Sequence, residues 1–141
     1  MAHRDPLVDH LQQVTFFSAC SRKDLQALAR RSEDRRVGAG TTIVNEGDNG
    51  DEFFVILDGT AHVSRQGRKV ATLGPGSGFG ELALLEDAPR NATVVADTDM
   101  ELVIVGQRDF AALLDEVPGF ARKMLAGTAH RLREADARAL Q

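Results

Sequence analysis

The sequence predicts a mainly β protein with flanking helices, a jelly-roll β-barrel set between N-terminal helices and a C-terminal helical segment. Three observations predict it. From Arg36 onward helical periodicity disappears, Gly, Thr, Val and Ile become more frequent, and turn residues recur at short intervals. On either side of that region apolar residues keep helical spacing, Leu25, Leu28 and Ala29 before it and Phe110, Leu113 and Leu114 after it. A chain of 141 residues has the size of one domain with one good core. The whole chain, 1–141, is therefore read as a single unit with N-terminal helices over 1–35, a barrel over 36–106 and C-terminal helices over 107–141.

Met1 to Pro6 is polar and is expected to fray. Leu7 to Val14 is expected to form a short helix with Leu7, Val8 and Leu11 on one side, held to the core by Phe16 and Phe17. Ser21 with Asp24 approximates a capping box, and Cys20 with Leu25 sits where a hydrophobic staple would fix the entry angle. The second helix should start near Arg22 and run to about Ser32.

The expected strands are Thr41 to Val44, Glu52 to Leu57, Thr60 to Ser64, Lys69 to Leu73, Thr93 to Ala96 and Met100 to Val105. Turn signals separate them at Gly47 to Asp51, Asp58 and Gly59, Gln66 and Gly67, Gly74 to Gly78, and Asp97 to Asp99. Short strands with regular turns point to a jelly roll or small barrel. After Gly106 the helical period returns, with a helix over Arg108 to Asp115. Pro118 opens a longer helix to about Ala137, at a position where proline is tolerated. Ala121, Leu125, Thr128, Leu132, Ala135 and Ala139 repeat at coiled-coil spacing, a seam for either a second copy or the barrel.

Composition narrows the function classes. The formal net charge of −4 and the lack of a basic tract argue against direct nucleic-acid binding by phosphate neutralisation. Cys20 is the only cysteine, so neither an intramolecular disulfide nor a thiolate zinc cluster can form. The sequence has no apolar N-terminal run and no span of about 20 apolar residues. No membrane association and a cytoplasmic location are the expectations.

The stretch from Phe79 to Val94, FGELALLEDAPRNATV, reads as an anion pocket. Gly74, Gly76, Gly78 and Gly80 free the backbone ahead of Glu81, so amides can approach a ligand. Glu81 to Leu85 reads as one helical turn, whose first N–H groups lack intrahelical partners and are ready donors for a phosphate. Arg90 follows a turn at Ala88 and Pro89, and its planar fork can grip a phosphate through two parallel hydrogen bonds. Glu81 beside a phosphate is repulsive unless it accepts from something else, such as a ribose hydroxyl. Phosphate and sugar in one small pocket point to a nucleotide.

At these residues the chain resembles the cyclic nucleotide-binding domain family, that of the catabolite activator protein and the regulatory subunits of cyclic AMP-dependent kinase. The family's phosphate-binding pattern, Gly-Glu-x-Ala-Leu and then Pro-Arg-x-Ala-Thr, is matched by Gly80, Glu81, Ala83, Leu84, Pro89, Arg90, Ala92 and Thr93. The segment EGDNGDEFFVILDGTAHV also matches the family's Gly-Asp turn, strand and hairpin glycine. The resemblance implies that Glu81 holds the ribose 2′-hydroxyl and that Arg90 pairs with the cyclic phosphate. The backbone of Gly80, Leu82, Ala83, Asn91 and Ala92 would complete the cradle. It further implies a lid, the Pro118 helix, with Arg131, Ala135 and Asp136 nearest the base, and a relay in which Leu84 packs on Phe110, Leu113 or Leu114. Three positions depart from the pattern: Ala135 and Asp136 stand where hydroxyl residues would touch adenine, and Asn91 favours neither purine outright.

The function implied is a non-catalytic sensor of a cyclic purine nucleotide, cyclic AMP favoured over cyclic GMP, with no cofactor. Its other expected partners are a protein effector and a second copy through the C-terminal helix. Alternatives are the sensor portion of a transcription regulator of the same family, a scaffold that no longer binds nucleotide, and a cupin-type metalloenzyme. The last needs converging imidazole or carboxylate ligands, whereas His3, His10, His62 and His130 are scattered and only His62 lies on an expected strand. No Ser/His/Asp or Cys/His set is apparent for nucleophilic catalysis.

Overall fold

The computed structural model describes residues 4–13, 17–80, 83, 88–117, 119–123, 125–126, 129, 133 and 136. The chain opens with two helices, α1 (Arg4–Gln13) and α2 (Arg22–Arg30). Leu7, Val8 and Leu11 of α1 are buried as their spacing predicts. The capping box of α2 is complete: the Asp24 N–H donates to Ser21 Oγ at 3.2 Å and the Ser21 N–H donates to Asp24 Oδ2 at 3.0 Å. A cap of this kind contributes about 1 kcal/mol. Leu25, Leu28 and Ala29 bury the inner face of α2.

Ten strands follow: β1 (Glu33–Val37), β2 (Thr42–Val44), β3 (Asn49–Gly50), β4 (Glu52–Asp58), β5 (Ala61–Arg65), β6 (Arg68–Leu73), β7 (Gly78–Phe79), β8 (Ala88–Pro89), β9 (Thr93–Ala96) and β10 (Met100–Gly106), leading into helix α3 (Gln107–Glu116). They form antiparallel sheets in the orders β1-β10-β4-β7 and β2-β9-β5-β6, with β3 and β8 as a separate two-stranded ladder. The expected six strands are all present within one residue at each end.

The layers explain why β4 and β10 read as continuous apolar runs rather than alternating ones. Both strands are covered on both faces. Phe53 and Val55 of β4, with Val103 and Val105 of β10, join Leu11, Phe17, Leu25, Leu28, Phe110 and Phe120 in a core under the helices. Phe54 and Ile56, with Leu102 and Ile104, face the opposite way into a second core between the sheets, completed by Ala61, Phe79, Val94, Ala96 and Met100. Strand β9 is covered on one face only, and its Val94 and Ala96 are buried in strict alternation.

The sheets do not close into the expected barrel. Each four-stranded sheet keeps its own edges, and the two are joined by side-chain packing instead of a continuous hydrogen-bond ladder. Two of these edges carry exposed charged residues. Strand β1, EDRRV, exposes Glu33 to Arg36 along β10, and β6 exposes Arg68 to Thr72 along β5. Charged edge strands resist further pairing. The β region also begins earlier than Arg36, because β1 is held by its neighbour β10 and carries no apolar pattern of its own.

At the C-terminal end, α3 buries Phe110 and Leu113 while Leu114 is half-buried. Residues 120–123 are helical, and Phe120 is fully buried with its ring edge-on to Phe110 at 5.9 Å between centroids. Pro118, and Thr128, Leu132, Ala135 and Ala139 of the coiled-coil pattern, lie outside the described residues. Leu125 of the pattern is described and 71 % exposed. Ion pairs tie this end to α2 and its C-cap Arg31: Arg31 Nη2 donates to Glu116 Oε1 and Oε2 at 2.8 and 2.6 Å, Arg31 Nη1 lies 3.8 Å from Asp109 Oδ1, and Lys123 Nζ lies 2.5 Å from Asp24 Oδ2. Among the described residues no helix is long and apolar enough to cross a membrane.

Candidate functional site

Arg90 is placed by backbone before its side chain does anything. Its N–H donates to the Asp48 carbonyl at 2.7 Å, and its carbonyl accepts from the Gly47 N–H at 2.8 Å. These bonds continue the β3–β8 ladder, in which Asn49 faces Pro89 and Gly50 faces Ala88. The side chain then passes between two glycines. A Cβ on Gly50 would collide with the Arg90 Nε and Cζ, and one on Gly80 would stand 2.6 Å from Nη1 and 3.0 Å from the Glu52 carbonyl. Gly80 also has φ of +83°, a conformation that L side chains rarely adopt. Both glycines are thus required by the course of one arginine.

The guanidinium ends with Nη2 donating to the Glu52 carbonyl at 2.9 Å and with Cζ 5.7 Å from the centroid of Phe54. Burial lowers its pKa, while the nearby Glu52 and Asp51 carboxylates act in the opposite direction. Arginine remains charged regardless. A guanidinium has five N–H donors, and among the described residues one side-chain hydrogen bond is made. Arg90 also lines an open cavity of about 180 Å³. Its lining includes the apolar Ile43, Val44 and Phe54 and the acidic Asp48, Asp51 and Glu52.

Phe79 is buried and stacks on Phe54 at 4.9 Å, with an interplanar angle of 12°. Such a pair adds about 0.5 to 1.5 kcal/mol beyond burial. It fixes the strand that delivers Gly80. The next described residue, Ala83, is 7 % exposed, and its N–H donates to the Gly80 carbonyl at 3.1 Å, a tight turn. Ala92 is buried, Pro89 and Asn91 are exposed, and the Asn91 carbonyl accepts from Arg65 Nε at 3.0 Å. Thr93 Oγ1 accepts from the Glu46 N–H at 2.9 Å, which ties the cassette's far end to the β2–β3 turn. Phe79, Gly80, Ala83, Pro89, Arg90, Asn91 and Ala92 are therefore brought to one end of the sandwich. Glu81, Leu82, Leu84, Arg131 and Ala135 lie outside the described residues, and Asp136 is helical and exposed.

Sequence reasoning passed over four participants. Gly50, Asp51 and Glu52 were absorbed into a turn and a strand, and only the β3–β8 ladder brings them to Arg90. Gln107 lay just before the expected start of α3, yet its Nε2 donates to the Ala83 carbonyl at 3.0 Å. Among the described residues no group of three His, Cys, Asp or Glu side chains could hold a metal ion. His62 instead meets Asp97 on the outer face of the sheet at 2.6 Å.

Comparison with known proteins agrees with this geometry. The family model described as "Cyclic nucleotide-binding domain" matches residues 34–117. A cAMP-dependent protein kinase regulatory subunit of Yarrowia lipolytica is 38 % identical over 109 residues, which is 76 % of this chain and 29 % of that protein. The Cyclic AMP receptor protein of Thermus thermophilus is 38 % identical over 102 residues, 69 % of this chain and 47 % of the relative. The chain thus spans less than half the length of either relative. Among solved structures, the N-terminal domain of a transcriptional regulator from Streptomyces coelicolor superposes with a TM-score of 0.84 at 29 % identity, covering 92 % of this chain and 96 % of that one. The regulatory domain of Toxoplasma gondii PKA, crystallised with cAMP, gives 0.74 at 33 % identity over 79 % of this chain and 44 % of that one. With its jelly-roll sheets, its glycine-flanked arginine and a family match over residues 34–117, the chain belongs to the cyclic nucleotide-binding domain family.

Proposed function

We propose that this chain is a single-domain, non-catalytic sensor that binds a cyclic purine nucleotide, cyclic AMP in preference to cyclic GMP, between Arg90 and the segment 79–94. The observation that carries the reading is the Arg90 guanidinium, half-buried between Gly50 and Gly80 and lining a cavity. Such a group takes an anion. A cyclic phosphodiester carries one negative charge and suits a single arginine, whereas Asp48, Asp51 and Glu52 around the cavity oppose more highly charged phosphates.

In this reading Arg90 pairs with the phosphate and Glu81 accepts from the ribose 2′-hydroxyl. Amides of Gly80, Leu82, Ala83, Asn91 and Ala92 close the cradle, while Phe79 and Pro89 shape its entrance and exit. Arg131 and Ala135 approach the base from the C-terminal helix. Occupancy is passed on by movement of the helices after residue 106, to a protein effector or to a second copy paired through the C-terminal helix. The relatedness to cAMP-dependent kinase regulatory subunits supports cyclic AMP as ligand.

Titration calorimetry with each nucleotide, backed by thermal shift, tests the proposal. Ligand at about 100 times its dissociation constant adds roughly 2.7 kcal/mol to stability, and Arg90→Ala should weaken binding by about 2 to 5 kcal/mol. No heat and no shift with either nucleotide at millimolar concentration would end the reading. The likeness to the Streptomyces coelicolor domain favours a second one, in which the same sensor controls DNA binding. Nucleotide-independent DNA retention by the full-length polypeptide would remove it.

A further inference from the structure

Gln107, the first residue of α3, is bonded at both ends to the site. Its N–H donates to the Asp51 carbonyl at 2.8 Å and its Nε2 donates to the Ala83 carbonyl at 3.0 Å. Asp51 lines the cavity beside Arg90. Ala83 belongs to the turn that Gly80 begins, and Gly80 packs on the Arg90 guanidinium. The preceding residue, Gly106, provides no side-chain cap, so the first amide of α3 is satisfied from the site and not from its own helix. Gly106 also lies opposite Glu52, whose carbonyl holds Arg90. The start of α3 therefore rests on two carbonyls, one from a residue that lines the cavity and one from the turn that follows Gly80.

The far end of α3 is fixed differently. Phe110 and Leu113 sit in the core under the helices, and Glu116 accepts both bonds from Arg31, the C-cap of α2. Any change in separation between the Asp51 turn and the Ala83 turn must be taken up at Gln107, either by rotation of the first turn of α3 or by release of the side chain.

We infer that Gln107 is the positioning residue through which occupancy of the site is transmitted to α3. It holds no ligand atom; it reports the distance between the Asp51 and Ala83 turns. The inference rests on the nucleotide-binding reading above, and a ligand can bias α3 only through contacts that differ between the two arrangements.

The test uses the full chain with cyclic AMP and cyclic GMP as probes. Gln107→Met keeps length and shape and the backbone N–H but has no side-chain N–H, and Gln107→Lys restores a side-chain donor. Affinity is measured by calorimetry, and hydrogen exchange is followed at residues 107–116 with and without nucleotide. In the wild type, nucleotide should change exchange across 107–116 several-fold. The Met variant should bind within a few-fold of wild type but lose that change, and the Lys variant should regain it. Should the Met variant melt below the assay temperature, Gln107→Glu, which keeps the shape but lacks the donor when ionised, is read in the same way. A donor-less variant with the full exchange response, or one whose affinity falls in parallel with its response, overturns the inference. Absence of calorimetric binding to the wild type removes the nucleotide reading itself. Binding without any response at 107–116 removes only the role of Gln107.

Discussion

The Arg90 guanidinium fills the space that a Cβ on Gly50 would need, although the two residues meet only through a ladder of two-residue strands. Gly50 has no positive φ, so Gly50→Ala introduces no backbone strain of the left-handed kind and acts by displacing the arginine. Nucleotide affinity should fall at least tenfold, about 1.4 kcal/mol, while the melting temperature moves little. Gly80→Ala adds backbone strain of about 1 to 2 kcal/mol, so it should lose stability as well as affinity. Calorimetry paired with thermal melts separates the two. Equal losses of stability in both variants would contradict the geometry.

Lys123 reaches Asp24 inside the capping box of α2, joining the C-terminal segment to the N-terminal helices. Burial alone would raise the Asp24 pKa, but hydrogen bonds from Lys123 and Ser21, with the Lys123 charge, bring it below its ordinary 3.8. A carboxyl depressed in the folded state stabilises that state above its unfolded value, and the benefit is lost as pH falls through the folded value. Asp24→Asn should therefore lower the melting temperature at pH 7, with the gap to wild type closing below pH 3.8. Lys123→Met should cost about 1 to 2 kcal/mol, less than a fully buried pair, because the ammonium is partly solvated. A gap that stays constant from pH 7 to pH 2 would disprove the linkage.

Cys20 is close to the same pair. Its thiol is pushed up from 9.0 to about 11 by burial first and by the Asp24 carboxylate second, with Lys123 opposing both. The folded state disfavours the thiolate, so the thiol's contribution to stability is present below pH 9 and lost as pH rises through 11. Alkylation of native protein at pH 8 should be slow, and Asp24→Asn should accelerate it by removing the repelling charge. Wild-type alkylation as fast as that of denatured protein would refute this.

How much of this was legible in the sequence depends on how local the cause is. Ser21 and Asp24 lie within one turn, so their mutual capping could be read directly. The runs FFVIL and LVIV announced buried strands because both faces of β4 and β10 are covered. Strand β1 could not be read, since EDRRV is a strand only by virtue of its neighbour β10. The expected barrel became two sheets because closure is decided by which edges meet, which short strands do not encode. Phe120 was overlooked because a heptad seam drawn through Ala121 put its neighbour on the wrong face. At the candidate site, residue types and order single out Gly80 and Arg90, and the family resemblance adds Ala92. Gly50 and Gln107 were not found, because nothing in their local sequence says what they touch.

Strand β4 carries one core on each side, with Phe53 against Phe17 under the helices and Phe54 against Phe79 beneath Arg90. A slip of one residue would exchange these partners, so the strand cannot adapt by sliding.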